Sequence, residues 1–175
     1  MIRIISAALF AVAALFGSAS AQAQQTLAQI KSRGVLNCGS NTGLIGFGAP
    51  DPQGNWSGLD VEYCRAIAAA IFNDPTKVKF IPLSANDRFK ALLAGDVDVL
   101  VRNSTWTISN DTPPGLLFTN VNYYDGQGLM VRRKLGVMSV MQLAGASICV
   151  QRGTTTELNV VDYFKTNSLR HTIVS

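Results

Sequence analysis

The sequence VKFIPLSANDRFKALLAGDVDVLVRNSTWT, residues 78–107, has the pattern of a strand, a helix, a second strand and a polar loop. Its two apolar runs, VKFIPL and VDVLV, are short and continuous, which is typical of strands in a sheet that is covered on both faces. Ser84 opens a helical pattern between them, and Gly95 ends it. The side chains predicted to face the core from this helix are Phe89, Leu92 and Leu93.

The residues before this stretch repeat the pattern. VLNCG, residues 35–39, predicts a strand, and the apolar spacing after Asp60 predicts a long helix that this aspartate caps. A glycine-rich loop, residues 41–58, joins the two. Three strands that alternate with two helices predict a parallel α/β sheet. The ligand-facing edge of such a sheet lies beyond the carboxyl ends of its strands.

The amino terminus, residues 1–23, has the composition of a secretory signal peptide. Arg3 precedes an apolar run of 13 residues, which is shorter than the roughly 20 residues that cross a membrane. Small residues follow the run, and Ala21 and Ala23 each end an A-x-A triplet at which cleavage is expected. We therefore expect export, with a short helix over residues 26–34 near the start of the mature chain.

After residue 112 the alternation of strands and helices stops. LLFTNVNYYDGQGLMVRRK predicts two extended runs joined around Asp125-Gly126, and a second α/β unit begins near residue 130. That unit contains a short helix, the strand ASICV, a helix in TTTELNVVDYFKTN and the start of another strand. Because these elements are too few to close a sheet, we expect a chain that ends within its second lobe.

Charge and residue types exclude several functions. The formal net charge is +4, and the basic residues are dispersed rather than arranged in a stripe with aromatic residues, so we expect no nucleic-acid partner. His171 is the only histidine and the three cysteines lack the spacing of a zinc site, so we expect neither a metal nor a cofactor. Export makes a disulfide plausible, and the odd number of cysteines leaves one thiol over.

Candidate catalytic groups have little support. His171 stands alone in a predicted strand, four residues from the end of the sequence, and a lone histidine there is usually structural or exposed. Asp96 and Asp98 fall at the amino end of a strand, away from the expected cleft, and are predicted to be solvated turn residues. We find no nucleophile paired with a general base, so the sequence predicts a protein that is not an enzyme.

Hydrogen-bonding side chains follow two of the predicted strands. Residues 103–107, Asn-Ser-Thr-Trp-Thr, follow VDVLV and Arg102. Gln151 with residues 153–156, Gly-Thr-Thr-Thr, comes after ASICV and before a helix. The first turn of a helix presents backbone N–H groups and, here, hydroxyls that suit a carboxylate or another small anion. The alternative is that the threonines only cap the helix.

The chain resembles, in five segments, the periplasmic substrate-binding component of polar and general L-amino-acid ABC transporters. These segments are GVLNCGSNTGLIGFGAPDPQGNWSGLDVEYCRAIAAAIF, KVKFIPL, RFKALLAGDVDVLVRNSTWT, NYYDGQGLMVRRKLGV and CVQRGTTTELN. The resemblance implies an α/β protein with the two-lobed type II periplasmic-binding-protein fold. Residues 24–127 then form a first lobe that lacks its returning C-terminal segments, and residues 128–175 begin a second, truncated lobe.

The resemblance also implies a function. Proteins of this family are periplasmic, are expected to be monomeric, close over one L-amino acid, and deliver it to the permease of an ABC importer in the inner membrane. The positions of this chain that match the family's ligand contacts are Asn103, Thr105, Gln151, Gly153, Thr154 and Thr155. In this interpretation the carbonyl of Asn103 accepts from the ligand's ammonium group, while Thr105 and the Gly-Thr-Thr segment bind its carboxylate.

One position departs from the family pattern. Asn110 stands where the family has an arginine that binds the ligand's carboxylate with two parallel hydrogen bonds. Losing such a partner in a desolvated cleft costs roughly 2 to 5 kcal/mol, so binding is predicted to be impaired. A changed specificity, for a ligand without a free carboxylate, is the alternative. Arg102 lies nearby but belongs to the family's ordinary pattern, so we do not expect it to substitute.

Two further expectations come from the resemblance. Cys38 is expected to pair with Cys64, while Cys149 is expected to pair with a cysteine in the part of the second lobe beyond residue 175. The same fold also occurs in enzymes such as dehydratases of small carboxylic acids. That alternative function needs a general acid or base near Thr105, where the sequence offers only hydroxyls and amides.

Overall fold

The computed structural model describes residues 18–111 and 115–175, with side chains from residue 26 onward. Its first part contains a sheet of three parallel strands, as the sequence predicts, and the structure adds that the first of them along the chain is the central one. The elements of this part are α1 (Ser18–Arg33), β1 (Leu36–Ser40), β2 (Ala49–Pro50), β3 (Trp56–Ser57), α2 (Leu59–Phe72), β4 (Val78–Pro82), α3 (Arg88–Ala94), β5 (Val99–Leu100) and α4 (Ile108–Asp111). Strands β2 and β3 form a separate antiparallel pair within the predicted loop.

The core of the first sheet is joined by a disulfide. Cys38 in β1 is bonded to Cys64 in α2, and both side chains are fully buried. Ile30 of α1, Leu36 of β1 and Ala68 of α2 pack together beside this bond. The predicted pairing of Cys38 with Cys64 is therefore confirmed, and it fixes α2 against the central strand. Cys149 is an exposed free thiol.

The second part of the chain has its own small sheet. Its elements are two 3₁₀ helices (Arg133–Leu135 and Val140–Leu143), β6 (Ala146–Cys149), α5 (Thr155–Thr166) and β7 (His171–Val174). Strands β6 and β7 pair in parallel, and Ile148, Val160 and Phe164 form the core between the sheet and α5. The predicted strand, helix and strand are thus present, while the boundary between two lobes at residue 128 stays a prediction.

The helix after the loop begins differently from the prediction. Its N-cap is Gly58 and not Asp60, whose side chain makes no capping hydrogen bond. Loop carbonyls cap the helix instead, because the N–H of Leu59 donates to Gly46 and that of Asp60 donates to Phe47, each at 2.9 Å. Gly58 has a φ of 121°, and a Cβ there would lie 2.3 Å from the Phe47 carbonyl oxygen, so only glycine fits.

The helix between β4 and β5 also differs from the prediction. It begins at Arg88 rather than at Ser84, and its buried side chains are Arg88 and Ala91. Leu93 is 54% exposed, so its predicted core position is wrong. Gly95 ends the helix in the left-handed conformation, as predicted.

Two other expectations are corrected. Asp98 is not a solvated turn residue, because its side chain is 8% exposed, forms an ion pair with Arg33 and accepts a hydrogen bond of 2.7 Å from the N–H of Asn37. It therefore ties the end of α1 and the start of β1 to β5. The two extended runs predicted around Asp125-Gly126 are not strands, since the described residues 115–132 are irregular.

The predicted signal peptide lies largely outside the described residues. Its apolar run precedes Ser18, where α1 begins, and its cleavage stays a prediction. Helix α1 is longer than the predicted residues 26–34, but it ends where expected, with the N–H of Gly34 donating to the Ile30 carbonyl at 3.0 Å. Across residues 18–111 and 115–175, no helix is both long enough and apolar enough to span a membrane.

Candidate functional site

A cleft of about 660 Å³ lies beyond the carboxyl ends of the strands and is lined by residues from both parts of the chain. Five of the seven predicted ligand contacts line it, namely Asn103, Thr105, Gln151, Thr154 and Thr155. The strands place them there because the loops after β5 and β6 both leave their sheets at this edge. The structure thus brings together two polar strand ends that are distant in sequence.

Asn110 is not among the residues that line the cleft. It belongs to α4, a single helical turn, and its side-chain amide donates to the Thr105 carbonyl at 2.9 Å. Its backbone N–H donates to the carbonyl of Thr107 at 3.0 Å. The amide therefore braces the loop that carries Thr105, and it leaves the cleft without a guanidinium at this position.

Gly153 and Thr154 are largely engaged within their own loop. The N–H of Gly153 donates to Oε2 of Glu157 at 2.8 Å. The Thr154 hydroxyl donates to the Gln151 carbonyl at 2.7 Å and accepts from the N–H of Glu157 at 3.2 Å. Thr154 is thus the N-cap of α5, as the alternative interpretation of these threonines predicts, while Thr155 and Thr156 line the cleft without a capping role.

Sequence reasoning missed three charged residues at the floor of the cleft. Asp60, Arg88 and Arg102 all line it, and they are only 2%, 4% and 7% exposed. Arg88 occupies a helix position four residues before Leu92, which the sequence assigned to the core, and Arg102 directly follows the apolar run VDVLV. A charged residue within an apolar pattern could have indicated these positions. Burying a charge is costly, so buried charged residues are paired or hydrogen-bonded.

The two arginines are held by backbone carbonyls of the segment after β4. Nη1 of Arg88 donates to the Ala85 carbonyl at 2.8 Å, and Nη1 of Arg102 donates to the Leu83 carbonyl at 2.6 Å. Nη2 of Arg102 also donates to Oδ1 of Asn103 at 3.0 Å, and that oxygen accepts from Asn41 at 2.7 Å. Both guanidinium groups are therefore fixed in position.

Burial changes the ionisation of this group of residues. Desolvation raises the pKa of Asp60, while the charge of Arg102 and a hydrogen bond with Asn122 lower it. The pKa of Arg102 is lowered to about 10, mainly by desolvation and also by the charge of Arg88, while the charge of Asp60 opposes both effects. The pKa of Arg88 is also lowered by burial. At neutral pH both guanidinium groups remain charged.

Aromatic rings form the apolar walls of the cleft. Trp106 stacks on Phe118 with ring centroids 5.9 Å apart, and Phe47 contacts Tyr123 edge-to-face at 4.9 Å. All four rings line the cleft. Within the described ranges, no three His, Cys, Asp or Glu side chains are grouped so that they could hold a metal ion. The arrangement suits a small, charged, partly apolar molecule.

The fold and the cleft define a class of protein, the type II periplasmic binding proteins. A solved ABC transporter / periplasmic binding protein from Brucella ovis, with glutathione bound, matches with a TM-score of 0.81 and 60% sequence identity. The match covers 85% of this chain and 47% of that chain. Residues 36–169 also match the model of the bacterial extracellular solute-binding proteins, family 3, and the chain belongs to this family.

Curated relatives are similar over nearly the whole chain. The General L-amino acid-binding periplasmic protein AapJ of Rhizobium johnstonii is 55% identical over 169 residues, which cover 97% of this chain and 49% of the relative. The Glutamate/glutamine/aspartate/asparagine-binding protein BztA of Rhodobacter capsulatus is 56% identical, over 93% of this chain and 50% of the relative. The chain spans about half the length of the curated relatives that it matches.

Proposed function

We propose that this chain belongs to the extracytoplasmic binding component of an ABC importer, binds an L-amino acid in the cleft, and serves a permease in the inner membrane. The observation that carries the proposal is the cleft itself, where polar strand ends from both sheets meet over buried charges of both signs. An amino acid is a zwitterion and needs such a site. The relatives named for amino-acid binding, and their periplasmic location, support the proposal.

The proposed mechanism is closure of the two parts over the ligand. A ligand that touches Thr105 on one side and Thr155 on the other stabilises the arrangement in which these residues face one cleft. The permease then distinguishes the loaded protein by its closed shape. Contacts made to only one part would bind the ligand without favouring closure.

Asn110 weakens the proposed contact with the ligand's main-chain carboxylate. Its amide is already bonded to the Thr105 carbonyl and carries no charge, so the ligand's main-chain carboxylate is left to hydroxyls and backbone N–H groups. Neutral hydrogen bonds of this kind contribute about half as much as charge-assisted ones. We therefore propose an impaired binder, with dissociation constants in the millimolar rather than the micromolar range.

The enzyme alternative gains one residue from the structure. Asp60 places a carboxylate in the cleft, which corrects the expectation that only hydroxyls and amides lie there. The relatives that are 55% and 56% identical over the matched segment are nevertheless named as binding proteins. We therefore propose binding and not catalysis as the function.

The test is an NMR titration of the ¹⁵N-labelled chain with L-amino acids up to about 50 mM, each paired with its D enantiomer. NMR is suited to this because weak binding still shifts resonances in fast exchange. We expect saturable shifts of the Thr105 and Thr155 amides and of the Trp106 indole N–H with at least one L-amino acid, and smaller shifts with its enantiomer. Shifts that do not saturate, or that are equal with both enantiomers, would overturn the proposed function. A micromolar dissociation constant would overturn the proposal that binding is impaired.

A further inference from the structure

A segment of the second part of the chain, residues 130–141, carries basic and apolar side chains that face solvent. Single exposed apolar residues are ordinary on a protein surface, but four of them in one short segment, beside three positive charges, are not. The exposed apolar residues are Met130 at 99%, Leu135 at 60%, Met138 at 90% and Met141 at 50%. We call these four, together with the exposed residues Arg132, Arg133 and Lys134, the basic-methionine patch.

The charge of the patch is not neutralised within the chain. Between Asp125 and Glu157 the sequence has four basic residues and no Asp or Glu. In the parts of the chain that the structure describes, no ion pair involves Arg132, Arg133 or Lys134. Three adjacent positive charges therefore face solvent, and they attract an anionic partner.

Local hydrogen bonds fix the backbone of the patch. Oε1 of Gln142 accepts from the N–H groups of Met138 and Ser139 at 2.8 and 3.1 Å. The N–H of Leu135 donates to the Arg132 carbonyl at 3.0 Å, within the first 3₁₀ helix of this part of the chain. The patch is therefore preformed, and little backbone ordering opposes the binding of a partner.

The methionines project from the surface. Met130 and Met141 each follow a residue that packs against the core of the second sheet, namely Leu129 and Val140, so these two methionines face outward. A methionine side chain is flexible and apolar, and it adapts to the surface that it meets. A folded protein needs a matching shape to receive such projections, whereas a fluid lipid interface receives them without one.

The patch also leaves the cleft open. The second 3₁₀ helix, Val140–Leu143, leads into the amino end of β6, whereas Gln151, which lines the cleft, follows the carboxyl end of that strand. The two surfaces therefore lie at opposite ends of the strand. A partner on the patch does not obstruct a ligand that enters the cleft.

We propose that the basic-methionine patch docks this protein on an anionic lipid surface. The three basic side chains contact lipid phosphates, and the four apolar side chains enter the boundary between the headgroups and the acyl chains. The inference goes beyond the proposed function, because it requires no ligand in the cleft. Its consequence is a higher concentration of the protein at an anionic membrane.

The methionines of the chain provide the test, because three of the four lie in the patch and the fourth is Met1. The chain is labelled with ¹³C in the methionine methyl groups and titrated with nanodiscs that contain a paramagnetic doxyl lipid. The discs consist of phosphatidylcholine, alone or with an equal amount of phosphatidylglycerol, and discs with the label reduced are the reference. We expect the methyl signals of Met130, Met138 and Met141 to broaden strongly with anionic discs and little with zwitterionic discs. Broadening of Met1 alone would show a contact at the amino terminus and would overturn the proposal.

The triple variant Arg132→Gln/Arg133→Gln/Lys134→Gln tests the charges. It should bind anionic discs about a hundred-fold more weakly, because each basic residue near an anionic lipid surface contributes about five-fold. The three side chains are exposed and make no ion pair in the described residues, so the fold should be unchanged.

The matched control for the charges is Lys31→Gln/Lys79→Gln/Lys90→Gln. It removes the same net charge from exposed positions in the first part of the chain. Its binding should stay within about three-fold of the unaltered chain, because salt screens charges that are remote from the lipid.

Met138→Gln tests the apolar contact. It should weaken binding to anionic discs by about three- to ten-fold, because a polar side chain gains less from entering the interface. Met138→Leu keeps an apolar side chain and should bind like the unaltered chain.

The remaining outcomes would overturn the lipid surface as the partner. Equal binding to both kinds of disc, or an equal loss of binding in the two triple variants, would do so. If poly-L-glutamate binds the patch more tightly than the anionic discs do, an acidic protein is the partner. If the methyl signals shift with protein concentration alone, a second copy of the chain covers the patch. Each of these outcomes leaves the proposed function standing, because the titration with L-amino acids tests the cleft separately.

Discussion

Gly153 and Asn86 approach so closely that a Cβ atom on Gly153 would lie 2.0 Å from Oδ1 of Asn86. Asn86 follows β4 in the first sheet, and Gly153 follows β6 in the second, so this contact joins the two parts of the chain beside the cleft. Gly153 also has a φ of 74°, which favours glycine. The glycine of the Gly-Thr-Thr segment is thus required by a close approach and by its backbone conformation.

Gly153→Ala should destabilise the protein by about 1 to 2 kcal/mol, because alanine is strained in the left-handed region and displaces the Asn86 side chain. In urea this corresponds to a fall in the midpoint of roughly 0.5 to 1 M. Gly126→Ala is the control, since its φ lies outside that region and nothing lies within 4 Å of the added Cβ. In the double variant with Asn86→Ala, the part of the lost stability that comes from the clash with Asn86 should be recovered. An unchanged urea midpoint in Gly153→Ala would contradict the prediction.

Asn110→Arg should tighten binding of L-alanine by about ten-fold or more, because it restores a charged donor for the main-chain carboxylate. Alanine is chosen because it has no side-chain charge to engage the floor of the cleft. The gain should vanish with L-alaninamide, which has no free carboxylate. Binding is measured by the same NMR titration.

Ser109→Arg is the matched control for this variant. Ser109 is the exposed neighbour of Asn110 on the same helical turn, so it receives an identical charge at nearly the same place. If both variants bind alanine equally, the loss of a carboxylate contact is the wrong interpretation of Asn110. A changed specificity would then be favoured.

The disulfide should contribute about 3.5 kcal/mol to the free energy of unfolding. Cys38 and Cys64 are separated by 26 residues, and closing a loop of about this length restricts the unfolded chain by that amount. Urea unfolding of Cys38→Ala/Cys64→Ala measures the loss, and reduction of the unaltered chain should reproduce it. Cys149→Ala removes only the exposed free thiol and should stay within about 0.5 kcal/mol of the unaltered chain.

Asp60→Asn should become more stable relative to the unaltered chain as the pH rises. Burial raises the pKa of Asp60 above its ordinary value of 3.8, so the folded state holds this proton more firmly than the unfolded state. The resulting stability is fully present below pH 3.8 and is lost as the pH rises through the folded pKa. Urea unfolding of both proteins from pH 3.5 to pH 8 measures the difference, and a difference that falls with pH would contradict the assignment.

Local patterns predicted the elements and the edge of the sheet that carries the site. The apolar runs around residues 78–101 predicted parallel strands, and Gly95 marked a helix end correctly, because burial and backbone conformation there depend on near neighbours. The polar residues after VDVLV and ASICV were predicted to line a cleft, and Thr105 and Thr155 do so. The parallel topology makes this inference possible, since it sends both loops to the same edge.

Leu93 and Asp98 show where local patterns failed. Leu93 has the spacing of a core residue but is exposed, because the face of α3 that packs inward carries Arg88 and Ala91 instead. Asp98 has the setting of a turn residue but is nearly buried by its contacts with Arg33 and Asn37. Which face of an element is covered depends on its neighbours in space, and a single sequence does not contain that information.

The sequence by itself determined the α/β class, the parallel strands and the polar strand ends, because periodicity and turn chemistry are properties of contiguous residues. Only the tertiary structure decided that Asp60, Arg88 and Arg102 converge at the floor of the cleft. These residues come from three separate elements, and their burial together, with two positive charges facing one negative charge, depends on how the sheet and its helices pack.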